Sequence, residues 1–176
     1  GGANMFPDGL GGTIVINGGA FTSLDGNISA SGRSGGSVTA TSGNEMALNG
    51  SVKATGTSGN GGSVTLRATG ASIEIGGAVV DVSGANGGQI SNIAQGGIIS
   101  SAKYVASGTA GEGGRIDMSG STMLLLSTGF DASGLTGGGT VRIGGEFQGG
   151  KALTADEIPN ASKLIANDTV TVDVSS

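Results

Sequence analysis

Apolar and polar residues alternate along this chain in short runs that keep returning in the same order. In Val38-Thr39-Ala40, Val64-Thr65-Leu66 and Val80-Asp81-Val82 every second side chain is apolar. That is the period of a β-strand with one face on a core. A glycine pair introduces one class of run: Gly11-Gly12-Thr13-Ile14, Gly35-Gly36-Ser37-Val38, Gly61-Gly62-Ser63-Val64, Gly87-Gly88-Gln89-Ile90, Gly113-Gly114-Arg115-Ile116 and Gly138-Gly139-Thr140-Val141. The second glycines stand at 12, 36, 62, 88, 114 and 139, so the steps are 24, 26, 26, 26 and 25 residues. Self-similarity at such a period predicts a repeat architecture.

A second phrase keeps step with the first. It reads Ile28-Ser29-Ala30-Ser31-Gly32, Val52-Lys53-Ala54-Thr55-Gly56, Val80-Asp81-Val82-Ser83-Gly84, Tyr104-Val105-Ala106-Ser107-Gly108 and Phe130-Asp131-Ala132-Ser133-Gly134. A last copy, Val172-Asp173-Val174-Ser175-Ser176, lacks the glycine. Between the two phrases lies a third apolar pair: Met46/Leu48, Ile73/Ile75 and Leu124/Leu126, with Phe21 in the first unit and Ile98 in the fourth. Three short strands per turn with glycine corners predict an all-β fold, a right-handed parallel β-helix of about six coils of 24–26 residues. The alternation assigns the apolar pairs to the inside and leaves Thr39, Thr65, Glu74 and Asp81 outside. A charge introduced at Leu66 or Ile75 is therefore expected to disrupt the core. Positive φ at the corners is the expected reason for the glycines there.

The rhythm breaks once. From Phe130 to Val172 is 42 residues, against 24 to 28 for the earlier steps of that phrase. The expected organisation is one segment, 1–176, with regular coils over 11–143, a side insertion over 144–166 and the closing strand of the last coil over 167–176. A short helical turn near Thr154 to Ile158 fits the Thr154/Glu157 spacing of a capping box.

Composition changes this picture little. The chain has 39 glycines and 2 prolines in 176 residues, a share near that of low-complexity segments. The glycines are periodic and the runs between them alternate, which a disordered chain has no reason to maintain. With 12% charged residues and a net charge of −5, the chain lacks the clustered Lys and Arg that nucleic acid requires. It has no run of 18 apolar residues, the length needed to span a bilayer as a helix. The opening Gly1-Gly2-Ala3-Asn4 lacks an initiator Met and a signal segment, so an excised piece of a longer protein is expected.

The candidate chemistry is thin. Without His or Cys, nucleophilic triads and thiolate metal sites are unavailable. The chain is expected not to be an enzyme, with no cofactor, no metal site and no assignable ligand-binding residue. Carboxylates on neighbouring coils could still serve a polysaccharide lyase or hydrolase. Lys53 faces Asp81 in a column that also holds Asp131, and Asp117 faces Arg142. Surface ion pairs, each worth about 0–1 kcal/mol, are the expected account of both. A flat threonine array could order water, but the columns beside Thr39 and Thr41 run through Val15/Asn17, Thr65/Arg67, Ser91/Ile93 and Asp117/Ser119. The file Ser31, Thr55, Ser83, Ser107, Ser133 is expected to hydrogen-bond the corner backbone.

One stretch carries a resemblance. Phe130-Asp131-Ala132-Ser133-Gly134, followed by Gly137-Gly138-Gly139-Thr140-Val141-Arg142-Ile143-Gly144-Gly145-Glu146-Phe147-Gln148-Gly149, resembles a phrase of filamentous-haemagglutinin-like large exoproteins, the secreted partners of bacterial two-partner secretion. The likeness extends to Asn160-Ala161 and to Val172-Asp173-Val174-Ser175, and loosely to the whole chain. Glu146 departs from the family's usual Asp, and Lys163-Leu164 stands where Thr is common. The resemblance implies a piece of a β-helical shaft, exported through an outer-membrane transporter and secreted or displayed on the bacterial surface. It implies an adhesin or biofilm scaffold that contacts polysaccharide or other cell-surface molecules. End-to-end self-association through exposed coil edges is a further expectation.

Overall fold

The computed structural model describes residues 9–145 and 160–176. These form eighteen parallel strands in three six-stranded sheets, and no helix occurs among the described residues. Sheet 1 contains β1 (Thr13–Gly18), β4 (Ser37–Ser42), β7 (Ser63–Ala68), β10 (Gln89–Ala94), β13 (Arg115–Gly120) and β16 (Thr140–Ile143). Sheet 2 contains β2 (Phe21–Leu24), β5 (Glu45–Leu48), β8 (Ala71–Glu74), β11 (Gly97–Ser100), β14 (Thr122–Leu125) and β17 (Lys163–Ala166). Sheet 3 contains β3 (Asn27–Ser29), β6 (Ser51–Lys53), β9 (Val79–Asp81), β12 (Lys103–Val105), β15 (Gly129–Asp131) and β18 (Thr171–Asp173). One strand from each sheet makes a tier. Tier 1 is β1 to β3 and tier 6 is β16 to β18, so the chain winds as a β-solenoid.

Strand lengths are almost constant within a sheet, and the corners absorb the change between 24 and 26 residues. The register is therefore unbroken: Val38 pairs with Val64, Val64 with Ile90 and Ile90 with Ile116. Val52, Val80, Tyr104 and Phe130 form the matching file of sheet 3. All eight of these side chains are buried. A single tier cannot cover its own apolar face, so burial comes from the tiers above and below and stability is close to a sum of neighbour contacts. The Tyr104 and Phe130 rings stack at 5.4 Å, 12° from parallel.

The glycine pairs have a different cause from the one expected. None of them has positive φ; among described glycines that backbone occurs only at Gly9, Gly77, Gly144 and Gly145. The pairs are glycine because tiers touch there. A Cβ on Gly87 would lie 1.9 Å from the Ala106 carbonyl oxygen and 2.3 Å from the Gly114 nitrogen. Those two atoms are hydrogen-bonded to each other across the corner of the next tier. Gly11, Gly35, Gly61 and Gly113 sit over equivalent bonds. The second glycine presses the other way: a Cβ on Gly88 would lie 2.1 Å from the Gly62 carbonyl oxygen. The pair is thus a seam of backbone on backbone with no room for a side chain.

Sheet 2 overturns the expected phase. Ile73, Ile75 and Leu126 point outward and are exposed, and Leu124 lies on the same outer face. Ser72 and Glu74, with Met123 and Leu125, are the buried side chains. Phe21 is likewise outside, with Thr22 and Leu24 within. The cause is register: Ser72 pairs with Met46 and Glu74 with Leu48, so β8 inherits the inward slots of β5. A one-residue slip would bring Ile73 and Ile75 inward but would break the ladder to both neighbours. An Asp at Ile75 therefore enters solvent and leaves the core intact.

The insertion is also shorter than expected. Lys163–Ala166 forms β17 and pairs with β14, so the extra chain between β16 and β17 ends before Lys163. The expected turn at Thr154 to Ile158 lies outside the described residues. The closing strand β18 pairs with β15.

Candidate functional site

Among the described residues, a buried polar cluster, an ion triad on sheet 1 and two grooves on the outer faces carry chemistry. The cluster sits between tiers 3 and 4 and joins all three walls. Glu74 of sheet 2 accepts hydrogen bonds from the Asn92 amide of sheet 1, from the Tyr104 hydroxyl of sheet 3 and, at 3.1 Å, from Ser72. Asn92 also reaches the Tyr104 oxygen at 3.1 Å, and the Ser100 hydroxyl lies 3.4 Å from it. Among the described residues no buried side-chain nitrogen or oxygen lacks a partner. Satisfied groups of this kind are tolerated inside, whereas an unpaired one costs about 1–3 kcal/mol. All five side chains are sealed from solvent, so the cluster is a strut and not a reaction site.

Tyr104 gives the strut a pH signature. Burial first, then the neighbouring Glu74 charge and hydrogen bond, push its phenol well above the ordinary value. In the unfolded chain a tyrosine loses its proton near pH 10. Above that pH the unfolded state is deprotonated while the folded state keeps its proton. Stability is therefore intact below about pH 10 and falls as pH rises through the folded value. Tyr104 is the only tyrosine and the chain has no tryptophan, so tyrosinate absorbance reports this group alone. It should appear together with the loss of β-sheet circular dichroism. Titration of a fully folded chain near pH 10 would contradict the burial described here.

The triad centres on Asp117. Its Oδ2 lies 2.7 Å from Arg115 Nε and its Oδ1 2.7 Å from Arg142 Nε, with Arg142 Nη2 at 3.0 Å from Oδ2. The Asp117–Arg142 pairing falls on adjacent tiers as expected. It is not the exposed surface pair anticipated, because the Asp117 side chain is only 3% exposed. Its carboxylate is thus an acceptor shared by two guanidinium groups on adjacent tiers. Lys53 and Asp81 do stand opposite each other, but no ion pair joins them; Asp81 accepts the Ser83 amide instead. Asp131 receives both the amide and the hydroxyl of Ser133. In the serine file the Ser31 hydroxyl accepts the Thr55 backbone amide and hydroxyl from the next tier, a corner-backbone bond as expected, whereas the Ser133 hydroxyl bonds to Asp131 in its own turn. Among the described residues no three acidic side chains come together as a metal cluster.

The grooves lie on the outside of the coils. On sheet 1, Thr41, Arg67, Thr69 and Gln95 surround Ile93 in a cleft of about 260 Å³. Polar donors around an apolar floor fit a sugar ring, which presents hydroxyls at its edge and C–H bonds on its face. On sheet 2, a larger cleft of about 390 Å³ is lined by Ala71, Gly97, Ile99, Leu124 and Ile165 with Lys163 at its end. It belongs to an outward ladder, Ala47–Ile73–Ile99–Leu124–Ile165, in which each residue pairs with the next. No part of this ladder was assigned to the surface from the sequence. The signal was present in Ile98-Ile99 and Leu124-Leu125-Leu126, since successive strand residues point to opposite faces and such runs make both faces apolar.

Comparison with known proteins does not decide between these features. No family model, curated protein or solved structure matches the chain. The fold and the faces of the solenoid carry the reading that follows.

Proposed function

We propose that this chain is a rigid structural and adhesive segment, a piece of the shaft of a secreted or surface-displayed bacterial exoprotein of the filamentous-haemagglutinin-like kind. The observation that supports this most is the unbroken stacking of three parallel sheets, which makes a rod whose side faces are held at fixed spacing. Successive strands in such a rod are about 4.8 Å apart, so its outer faces run straight along the length and suit an extended polymer. The sheet 1 cleft around Ile93, with Arg67 as its cation, is the place proposed for a polysaccharide contact.

Glycan-array binding followed by titration tests this reading. The wild-type chain is expected to retain polysaccharides, acidic ones most strongly, and Arg67→Ala is expected to weaken binding about tenfold, the loss of one charge-assisted hydrogen bond. Binding that is absent, or unchanged by Arg67→Ala, rejects the cleft. Release of new sugar ends from the same polysaccharides would favour the competing reading, a carbohydrate-active enzyme. The exoprotein assignment is tested separately by the parent reading frame, where a secretion domain upstream is expected.

A further inference from the structure

The outer face of sheet 2 presents apolar side chains to water on five successive tiers, and their order is self-complementary. Along the strand direction the face has three columns. The middle column is Ala47, Ile73, Ile99, Leu124 and Ile165 on tiers 2 to 6. Ile73, Ile99 and Ile165 are each 45–46% exposed. One flanking column runs from Glu45 on tier 2 through Ala71, Gly97 and Thr122 to Lys163 on tier 6. The other flanking column continues the ladder through Asn49, Ile75, Ser101, Leu126 and Asn167 on tiers 2 to 6, of which Ile75 and Leu126 are exposed aliphatics. Single exposed aliphatics need no explanation, but a contiguous apolar stripe with charges only at its two ends marks an interaction surface.

We infer that this face docks on the same face of a second copy, with the two solenoids antiparallel. A two-fold axis lying in the interface, along the strands of tier 4, turns tier 2 onto tier 6 and tier 3 onto tier 5 while keeping each column opposite itself. Glu45 then meets Lys163 of the second copy, and the reverse pair forms by symmetry. Ile73 meets Leu124, Ile75 meets Leu126, Ala47 meets Ile165, and Ile99 meets its own counterpart. The large aliphatics face aliphatics, Ala71 meets the Thr122 side chain, and each charge faces its opposite. Moving the axis by half a tier, between tiers 3 and 4, places Glu45 against Thr122 and Ile75 against Ser101, so the match is specific to one register. Parallel copies bring Glu45 to the far edge of the same tier and remove the ion pairs.

The size of the face sets the strength. Five tiers at about 4.8 Å and three columns at about 7 Å give roughly 24 by 21 Å per copy, so about 1,000 Å² is buried in total. That is below a standard interface and within the range of weak, reversible association. Sheet faces packed on one another stand about 10 Å apart.

Sedimentation equilibrium on the 176-residue chain, up to about 1 mM, tests the inference. A monomer–dimer equilibrium is expected. Ile99→Asp sets two carboxylates against each other on the axis and should abolish the dimer. Glu45→Lys and Lys163→Glu should each weaken it about tenfold, and the double variant should restore it to near the wild-type value, because like charges become opposite again. These side chains are exposed, so circular dichroism should be unchanged in every variant. A chain that stays monomeric throughout, or a dimer that ignores Ile99→Asp, overturns the proposal. A double variant no tighter than either single one overturns the antiparallel register.

Discussion

Replacing Gly114 with alanine is expected to split the solenoid, at a cost of about 3–5 kcal/mol. The added methyl would stand 2.0 Å from the Gly88 carbonyl oxygen and 2.7 Å from the Gly87 carbonyl carbon. Both are backbone atoms of the tier above, so no rotamer change relieves the clash. The tiers must separate, and that breaks the hydrogen bond from the Arg115 amide to the Gly88 carbonyl. Gly12 holds the same place in the first repeat, yet among the described residues a Cβ there meets nothing within 4 Å. Gly12→Ala should therefore melt within a few tenths of a kcal/mol of wild type. Urea denaturation of the two variants gives the comparison, and limited proteolysis of Gly114→Ala should cut near tier 5. Equal stability would mean that the pair is glycine for some reason other than close approach.

The second large effect contrasts two aspartates. Leu66 is 1% exposed and packs in sheet 1 between Ala40 and Asn92. Leu66→Asp puts a carboxyl there with no cation to pair it. Several kcal/mol of stability should be lost, enough to unfold the central tiers. Ile73→Asp makes the same chemical change on the outer face, at a side chain 45% exposed. It should cost under about 1 kcal/mol, as surface substitutions do. Thermal melts of both variants decide the inside and outside of sheets 1 and 2 at once. If Ile73→Asp were the more damaging, the phase of sheet 2 described here would be wrong.

That phase marks the boundary of what could be read from the residues. The repeat, its three strands per turn, and the inward files of sheets 1 and 3 follow from Val38, Val64, Val52 and Val80, where alternation admits one reading. Sheet 2 admits two. Ile73 and Ile75 alternate cleanly around Glu74, and hydrophobicity alone sends the wrong set inward. The choice is made by the ladder to β5 and by partners that converge only in space: Asn92 is 18 residues from Glu74 and Tyr104 is 30. No local pattern couples a carboxyl, an amide and a phenol on three different walls. The corner glycines were found by their spacing, but their cause was not, because close approach between tiers is a property of the stack. The outer apolar ladder was hidden for the same reason as the buried Glu74, being the other side of the same strands.

The most direct measurement of tier-on-tier winding uses engineered cysteines, since the chain has none of its own. Thr39 and Thr65 are partners in adjacent strands of sheet 1, and Ser91 is the next in the file. Neighbouring strands about 4.8 Å apart fall within disulfide reach, and strands two tiers apart, near 10 Å, do not. The pair Thr39→Cys with Thr65→Cys, and the pair Thr65→Cys with Ser91→Cys, should each oxidise to an intramolecular crosslink in the folded chain. Thr39→Cys with Ser91→Cys should stay reduced under the same conditions. Crosslinking of the distant pair, or none in the adjacent ones, would contradict a chain that returns to the same column on each turn.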